Sequence, residues 1–229
     1  MADGITVWVP VVTALAGIGG ALGGQYVSHI LARKREEASA ARKHHDELVF
    51  ITTELVFLLE EFAEGCALVA TDNGMEDQQG ISITTTNRPE LELSQVTGDW
   101  RALPLTLMYR IRELPILLNE AGKRVDSAYD NDSPPDYSFT FWERQYQYTR
   151  LGLKALLTAR RLRKLAGLPP TRLDATPWSA QPVLWETWRR ARKRIAEAQR
   201  AMRLRRALSH ERLRQIHRDR MNLPSGGQE

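Results

Sequence analysis

Cysteine is almost missing from this chain: Cys66 is the single one among 229 residues. An internal disulfide is therefore excluded, and with it every disulfide-stapled scaffold. In the apolar run "EGCALVA" it reads as a small core residue rather than a nucleophile. No segment alternates apolar and polar residues for long enough to read as a strand, and no internal repeat appears. Charge is missing from one place in particular. Between Gly4 and Ala32 there is no Lys, Arg, Asp or Glu. What is present, 42% hydrophobic and 26% charged residues, belongs to a chain that folds. The length suits one globular domain with an appendage.

The uncharged stretch contains "VVTALAGIGGALG", which resembles the glycine-rich turn T-G-x-x-x-G-x-G of the short-chain dehydrogenase family. Thr13, Gly17 and Gly19 match, and Ala14 stands in place of the first glycine. The resemblance implies a dinucleotide held at a helix N-terminus by close backbone approach. Beyond a dozen residues it departs from the pattern. The following "LARKREEASAARKHHDEL" is charged and helix-forming where a second strand is required. No tyrosine is followed four residues later by lysine, so the family's Y-x-x-x-K pair is missing too.

A spanning helix accounts for more of the same residues. The most apolar part, Ile5 to Gly24, is about the ~20 residues that crossing a bilayer requires. Trp8 and Tyr26 are separated by about 27 Å of helix and fall where interfacial aromatics belong. Arg33, Lys34 and Arg35 follow at once, whereas the N-terminal flank carries Asp3. That asymmetry predicts an inner-membrane protein with its N-terminus outside and its bulk in the cytoplasm. An acidic residue before the apolar core argues against a cleaved signal peptide. Ala16, Gly20, Gly24 and Ser28 recur every four residues, as do Gly19 and Gly23. A smooth face of this kind lets membrane helices approach closely, so a homo-oligomer is expected, one able to perturb the membrane.

The remainder reads as helices. Leu48, Ile51, Leu55, Leu58, Phe62 and Val69 mark the first, and an acidic stretch over 71–99 follows, expected to be a disordered loop with one short strand at "ISITTT". Asp99 is the expected N-cap of the next helix. There Leu107, Ile111, Leu114, Leu118, Ala121, Val125 and Ala128 form an unbroken seam of the coiled-coil kind, with Pro115 predicting a kink. A third helix opens at Phe139 or Trp142 and stops at "AGLPP"; the last begins near Val183. Trp178, in the proline-rich connection between them, is expected to tuck against the body. The expected fold is all-α. It comprises a transmembrane anchor (1–32), a cytoplasmic antiparallel bundle of about four helices (33–184), a basic amphipathic helix (185–221) and a disordered tail (222–229). The pattern is similar to that of bacterial and prophage membrane proteins.

Charge is concentrated in that last helix. From Trp185 to Arg220 there are 13 Lys and Arg against four acidic residues. Trp188, Ala191, Ile195, Ala198 and Met202 make its apolar seam, and Arg189, Arg190, Lys193, Arg194, Arg200, Arg203 and Arg206 are its expected basic face. Such a helix can leave its charges in solvent while acting through a cytoplasmic protein partner, bind nucleic-acid phosphates, or lie on anionic lipid beneath the anchor. Aromatic residues are scarce among the arginines, which argues against reading single strands by stacking. Arg205 and Arg212 each precede a histidine, His210 and His217, by five residues. The spacing resembles the R-x4-H signature of HEPN-type ribonucleases and implies an arginine and a histidine meeting at a scissile phosphate. His44, His45 and Asp46 are adjacent and share no helical face, and Glu60, Glu61 and Glu64 read as a solvated face. No catalytic set, cofactor site or metal site is expected. Action by interaction rather than catalysis is the leading reading.

Overall fold

A computed structural model describes the backbone over residues 5–221 and the side chains over residues 29–215. Helix α1 (Ile5–Thr71) is one unbroken element of 67 residues, about 100 Å long. The expected boundary at 32/33 is not a break in the helix. Residues 29–46 are exposed throughout. After the exposed Ile30 and Leu31 this stretch is mostly polar and is supported by pairs one turn apart, Arg33 with Glu37 at 2.9 Å and Lys43 with Glu47 at 4.0 Å. From there on α1 joins the core: Ile51, Leu55, Leu59, Phe62, Cys66 and Val69 are fully or nearly fully buried.

Helices α2 (Leu105–Asp130), α3 (Ser138–Leu165) and α4 (Ala180–Met221) complete the body. The seam expected on α2 is real, with Ile111, Leu114, Ala121, Val125 and Ala128 buried. Pro115 lies inside α2. The end of α3 follows its stop signal: Gly167 takes a left-handed φ of 64°, and the Leu168 amide donates to the Arg163 carbonyl at 2.9 Å.

Half of the 28 residues of α3 are buried, which makes it the central helix. It meets α1 through Arg144 with Asp72 at one end and Arg163 with Glu60 at the other, so the two are antiparallel. Leu184 of α4 packs level with Gly152, and Arg194 lies over Trp142, so α4 is antiparallel to α3 as well. A Cβ at Gly152 would stand 2.8 Å from both Cys66 Cβ and Leu184 Cδ1. Three helices therefore cross where one residue has no side chain.

The segment over 72–104 corrects two expectations. It is an ordered strap, not a disordered loop, and it returns the chain to the starting end of the body, so α1, α2 and α4 share one direction. The up-and-down alternation expected of an antiparallel bundle therefore holds only about α3. The strap starts with the short pair β1 (Met75–Glu76) and β2 (Ser82–Ile83). It passes Pro89 over Gly65, where a Cβ would come within 2.7 Å of the ring, and buries Leu91. Near its end the Thr97 amide donates to Glu54 at 3.0 Å. Asp99 caps a single 3-10 turn (Trp100–Ala102) ahead of α2 rather than α2 itself.

What fixes the strap is Asp72. Its carboxylate accepts from the amides of Gly74, Thr85 and Thr86, from the Thr85 hydroxyl, and from Arg144 Nη1 at 2.8 Å. Arg144 Nη2 donates to the Thr86 carbonyl. Burial alone would raise the Asp72 carboxyl, but the Thr85 hydroxyl, the Gly74 and Thr86 amides and Arg144 outweigh it and hold the group at about 2.

Two smaller expectations are also corrected. Trp178 is 80% exposed, in the tight turn that the Ser179 amide closes by donating to the Thr176 carbonyl, and does not tuck against the body. Glu60 is buried, unlike Glu61 and Glu64, and accepts both Nε and Nη2 of Arg163 at 2.8 and 2.7 Å.

Candidate functional site

Two helices outrun the body, and they leave it at opposite ends. Ala191 of α4 lines the same cavity as Ala70 and Thr71, the last residues of α1. Beyond that level α1 and α3 have ended and α4 continues alone. From Arg192 to Gln215 every residue is exposed except Ile195, which is partly covered. The protruding rod, from Arg194 to Met221, is about 40 Å long. The seam that α4 uses inside the body, Leu184, Trp188 and Ala191, runs on into Ile195, Ala198 and Met202, and Met202 is 61% exposed.

The arginines do not form one face. At 100° per residue, Arg189, Lys193, Arg200 and Arg203 fall on the outer side of α4, whereas Arg190 and Arg194 turn towards the end of α1. Arg206 falls on neither side. Arg205 and Arg212 stand above Arg194 within about 20° of it, one ridge continued along the rod. Among the described residues no carboxylate lies within ion-pair distance of Arg194, Arg205 or Arg212; Arg190 has Glu186 at 3.8 Å.

At the foot of this ridge is a cavity of about 260 Å³ between the end of α1, the first turns of α3, and α4. Its α3 wall is aromatic. Trp142 and Tyr146 are stacked with centroids 5.4 Å apart and planes 6° apart, and Phe139 extends the row at 6.1 Å. Arg194 lies 5.3 Å over Trp142 and Arg150 lies 5.5 Å over Tyr146, both as cation–π contacts. Sequence reasoning missed this shelf because it looked for aromatics among the arginines of α4. The rings come from α3 at positions 139, 142 and 146, a three-four spacing that already places them on one face.

Two groups on residues that line this cavity, Trp142 Nε1 and Thr187 Oγ1, are buried without a hydrogen-bond partner, as are Thr52 Oγ1 and Gln181 Oε1 elsewhere in the body. Thr53, Thr149 and Thr158 each donate to the carbonyl four residues back, whereas Thr52 and Thr187 do not. A buried unmade hydrogen bond costs about 1–3 kcal/mol. The Gln145 amide nitrogen donates to Asp72 O and Asn73 Oδ1, which leaves its side-chain oxygen as an acceptor.

A larger cavity of about 570 Å³ lies under the strap, lined by Ile83, Tyr129, Tyr137 and Phe141. Of its charged groups, Arg144 is paired with Asp72 and Arg88 with Asp126, and Asp130 also lines it.

Several sequence expectations fall elsewhere. The side chains of Trp8, Ala16, Gly19, Gly20, Gly23, Gly24, Tyr26 and Ser28 lie outside the described residues, as do His217 and the tail 222–229. Among the described residues no helix is long and apolar enough to cross a membrane. Arg33, Lys34 and Arg35 are exposed on α1. Arg205 and His210 are both exposed on the rod, five residues and about 140° apart on one helix. Among the described residues no group of His, Cys, Asp and Glu is placed to hold a metal ion. Burial pushes the Cys66 thiol up, far from a nucleophile's range.

The fold and site thus define an all-α body with an exposed helix at each end and a polar, aromatic-walled cavity where the basic one emerges. No protein-family model, no curated protein and no solved structure matches the chain.

Proposed function

We propose that the protein is a single-pass, membrane-anchored helical body that acts by interaction, holding a basic helix away from the membrane surface. The observation that carries this reading is the departure of α1 and α4 from opposite ends of the body. An anchor within residues 1–32, N-terminus outside, leaves Arg33, Lys34 and Arg35 at the cytoplasmic surface. The exposed stretch 29–46 then serves as a stalk, the body follows, and the rod of α4 starts about 55–60 Å beyond Arg33. On this reading the rod stands far beyond the ~8 Å Debye length at which the bilayer's charge is felt, which favours a protein or nucleic-acid partner over the anionic lipid beneath the anchor. Self-association through the small residues of the anchor fits the same arrangement, and the seam of α4 beyond Ala191 offers a second surface for a protein partner.

Membranes from cells expressing the full chain, washed with alkaline carbonate and then high salt, test the anchor. The protein stays in the pellet if it spans the bilayer and leaves with the wash if it is held by charge.

Nucleic-acid binding through α4 is a second reading. It is favoured by one observation, the aromatic shelf of α3 standing beside Arg190 and Arg194. A ribonuclease activity draws no support from the separation of Arg205 and His210.

A further inference from the structure

We infer that the cavity at the foot of α4 is a nucleotide subsite for single-stranded nucleic acid, with the strand's backbone rising along Arg194, Arg205 and Arg212. This deepens the second reading above and is independent of the anchor. Four features of the site point the same way.

The cavity holds both kinds of hydrogen-bonding group. Trp142 Nε1 and the Thr187 hydroxyl are covered, unpartnered groups on residues that line it, and Gln145 Oε1 is an acceptor. The last carbonyls of α1, at Ala70 and Thr71, add acceptors that a helix end leaves without intrahelical partners. A bare phosphate or carboxylate accepts and does not donate. A heterocyclic base edge does both, and so matches the set.

The wall offers a π-surface. Trp142 and Tyr146 line the cavity as a stacked pair, and Phe139, 48% exposed, continues the row beyond the cavity's lining. Stacking on such rings is how proteins hold unpaired bases irrespective of their identity. A duplex hides its base faces, so this wall discriminates against it.

Size sets the limit. A volume of about 260 Å³ is below the ~300–1,000 Å³ of pockets for drug-sized ligands, and admits one base rather than a large cofactor.

Charge leads away from the cavity in one line. Arg194 lies at its rim, and Arg205 and Arg212 follow at about 16 Å and 27 Å further along the helix. They are unpaired by carboxylates among the described residues, and such cations attract phosphates in a salt-dependent way. An acidic protein segment would satisfy the arginines but would leave the aromatic row and the donors unused, which is why the nucleic acid is the occupant assigned.

The test uses the full chain in detergent micelles and fluorescence anisotropy with a labelled 20-nucleotide oligo-uridine, the matching 20-base-pair duplex, and polyglutamate of similar length. Single-stranded RNA should bind at least tenfold tighter than the duplex or polyglutamate. The triple variant Arg194→Gln, Arg205→Gln, Arg212→Gln, all on exposed helix, should weaken binding at least tenfold. It should also lower the slope of log K against log salt by about 2, as expected when three phosphate contacts to a single strand are lost. Trp142→Phe keeps an aromatic ring, smaller than indole, and removes the donor; binding should weaken about three- to tenfold with the salt slope unchanged. Equal or tighter binding of the duplex overturns the single-strand assignment. No oligonucleotide binding, or preference for polyglutamate, overturns the nucleic-acid assignment. Full affinity in Trp142→Phe overturns the subsite. None of these outcomes bears on the anchor, which is read by the carbonate wash.

Discussion

Arg144 and Asp72 are 72 positions apart in the chain and meet at 2.8 Å with side chains 3% and 0% exposed. One residue begins the strap and the other belongs to the central helix, so this pair ties the start of the strap to the body. Removing one member of a buried ion pair leaves an uncompensated charge and costs about 3–5 kcal/mol. Arg144→Met should therefore lower the unfolding free energy by about that amount in urea titrations. Asp72→Asn should cost a similar amount, because it leaves the Arg144 cation buried without its partner and sets an NH2 group against the strap's donors.

The same carboxylate sets an acid limit. Its value of about 2 in the folded chain lies below the ~3.9 of a free aspartate, so the folded form prefers it ionised. Its contribution to stability is complete above about pH 4 and is lost as the pH falls towards 2. Melting temperatures measured from pH 5 to pH 2 should drop over that window, and Asp72→Asn should flatten the drop.

Gly152 marks the crossing of α1, α3 and α4. Overpacking a well-filled core costs about 1–3 kcal/mol, and a methyl at this position meets Cys66 and Leu184. Gly152→Ala should lower the melting temperature by about that equivalent without changing helix content by circular dichroism. Cys66, buried and with its thiol pushed up, should resist a thiol reagent in the native protein and react on unfolding, faster in Gly152→Ala.

Glu60 and Arg163 form a bidentate pair that also holds the connection after α3, since Arg163 Nη1 donates to the Pro169 carbonyl at 2.7 Å. Hydrogen bonds of charged groups contribute about 1.5–3 kcal/mol. Glu60→Gln should cost about that amount and speed proteolysis in the connection between α3 and α4. By contrast, Arg205→Gln and Arg212→Gln are fully solvated changes and should leave stability within about 0.5 kcal/mol.

Which of these features could be read from the chain depends on how far apart the partners lie. The seam of α2 was legible because Ile111, Leu114, Ala121, Val125 and Ala128 carry their own period. The stop of α3 was legible because Gly167 and the prolines after it act locally. The strap was not, because its order depends on Asp72 finding Arg144 across 72 residues, and composition alone gives a polar segment. Glu60 was misread for the same reason: its partner is 103 residues away. The candidate site combined a helical face of α3 with one of α4. Each half was visible, but their meeting at Trp142 and Arg194 was a matter of packing.

The central claim is that α4 carries its charges away from an anchored membrane. An environment-sensitive dye placed at Ala38→Cys on the stalk or at Ala207→Cys on the rod, with Cys66 inert, reports it in full-length protein reconstituted into vesicles bearing acceptor-labelled headgroups. Along the helices the two sites are on the order of 70 Å apart. Energy transfer to the headgroups should be strong from position 38 and near zero from position 207. Equal transfer from both would lay the rod on the membrane and contradict the account; transfer from neither would remove the anchor.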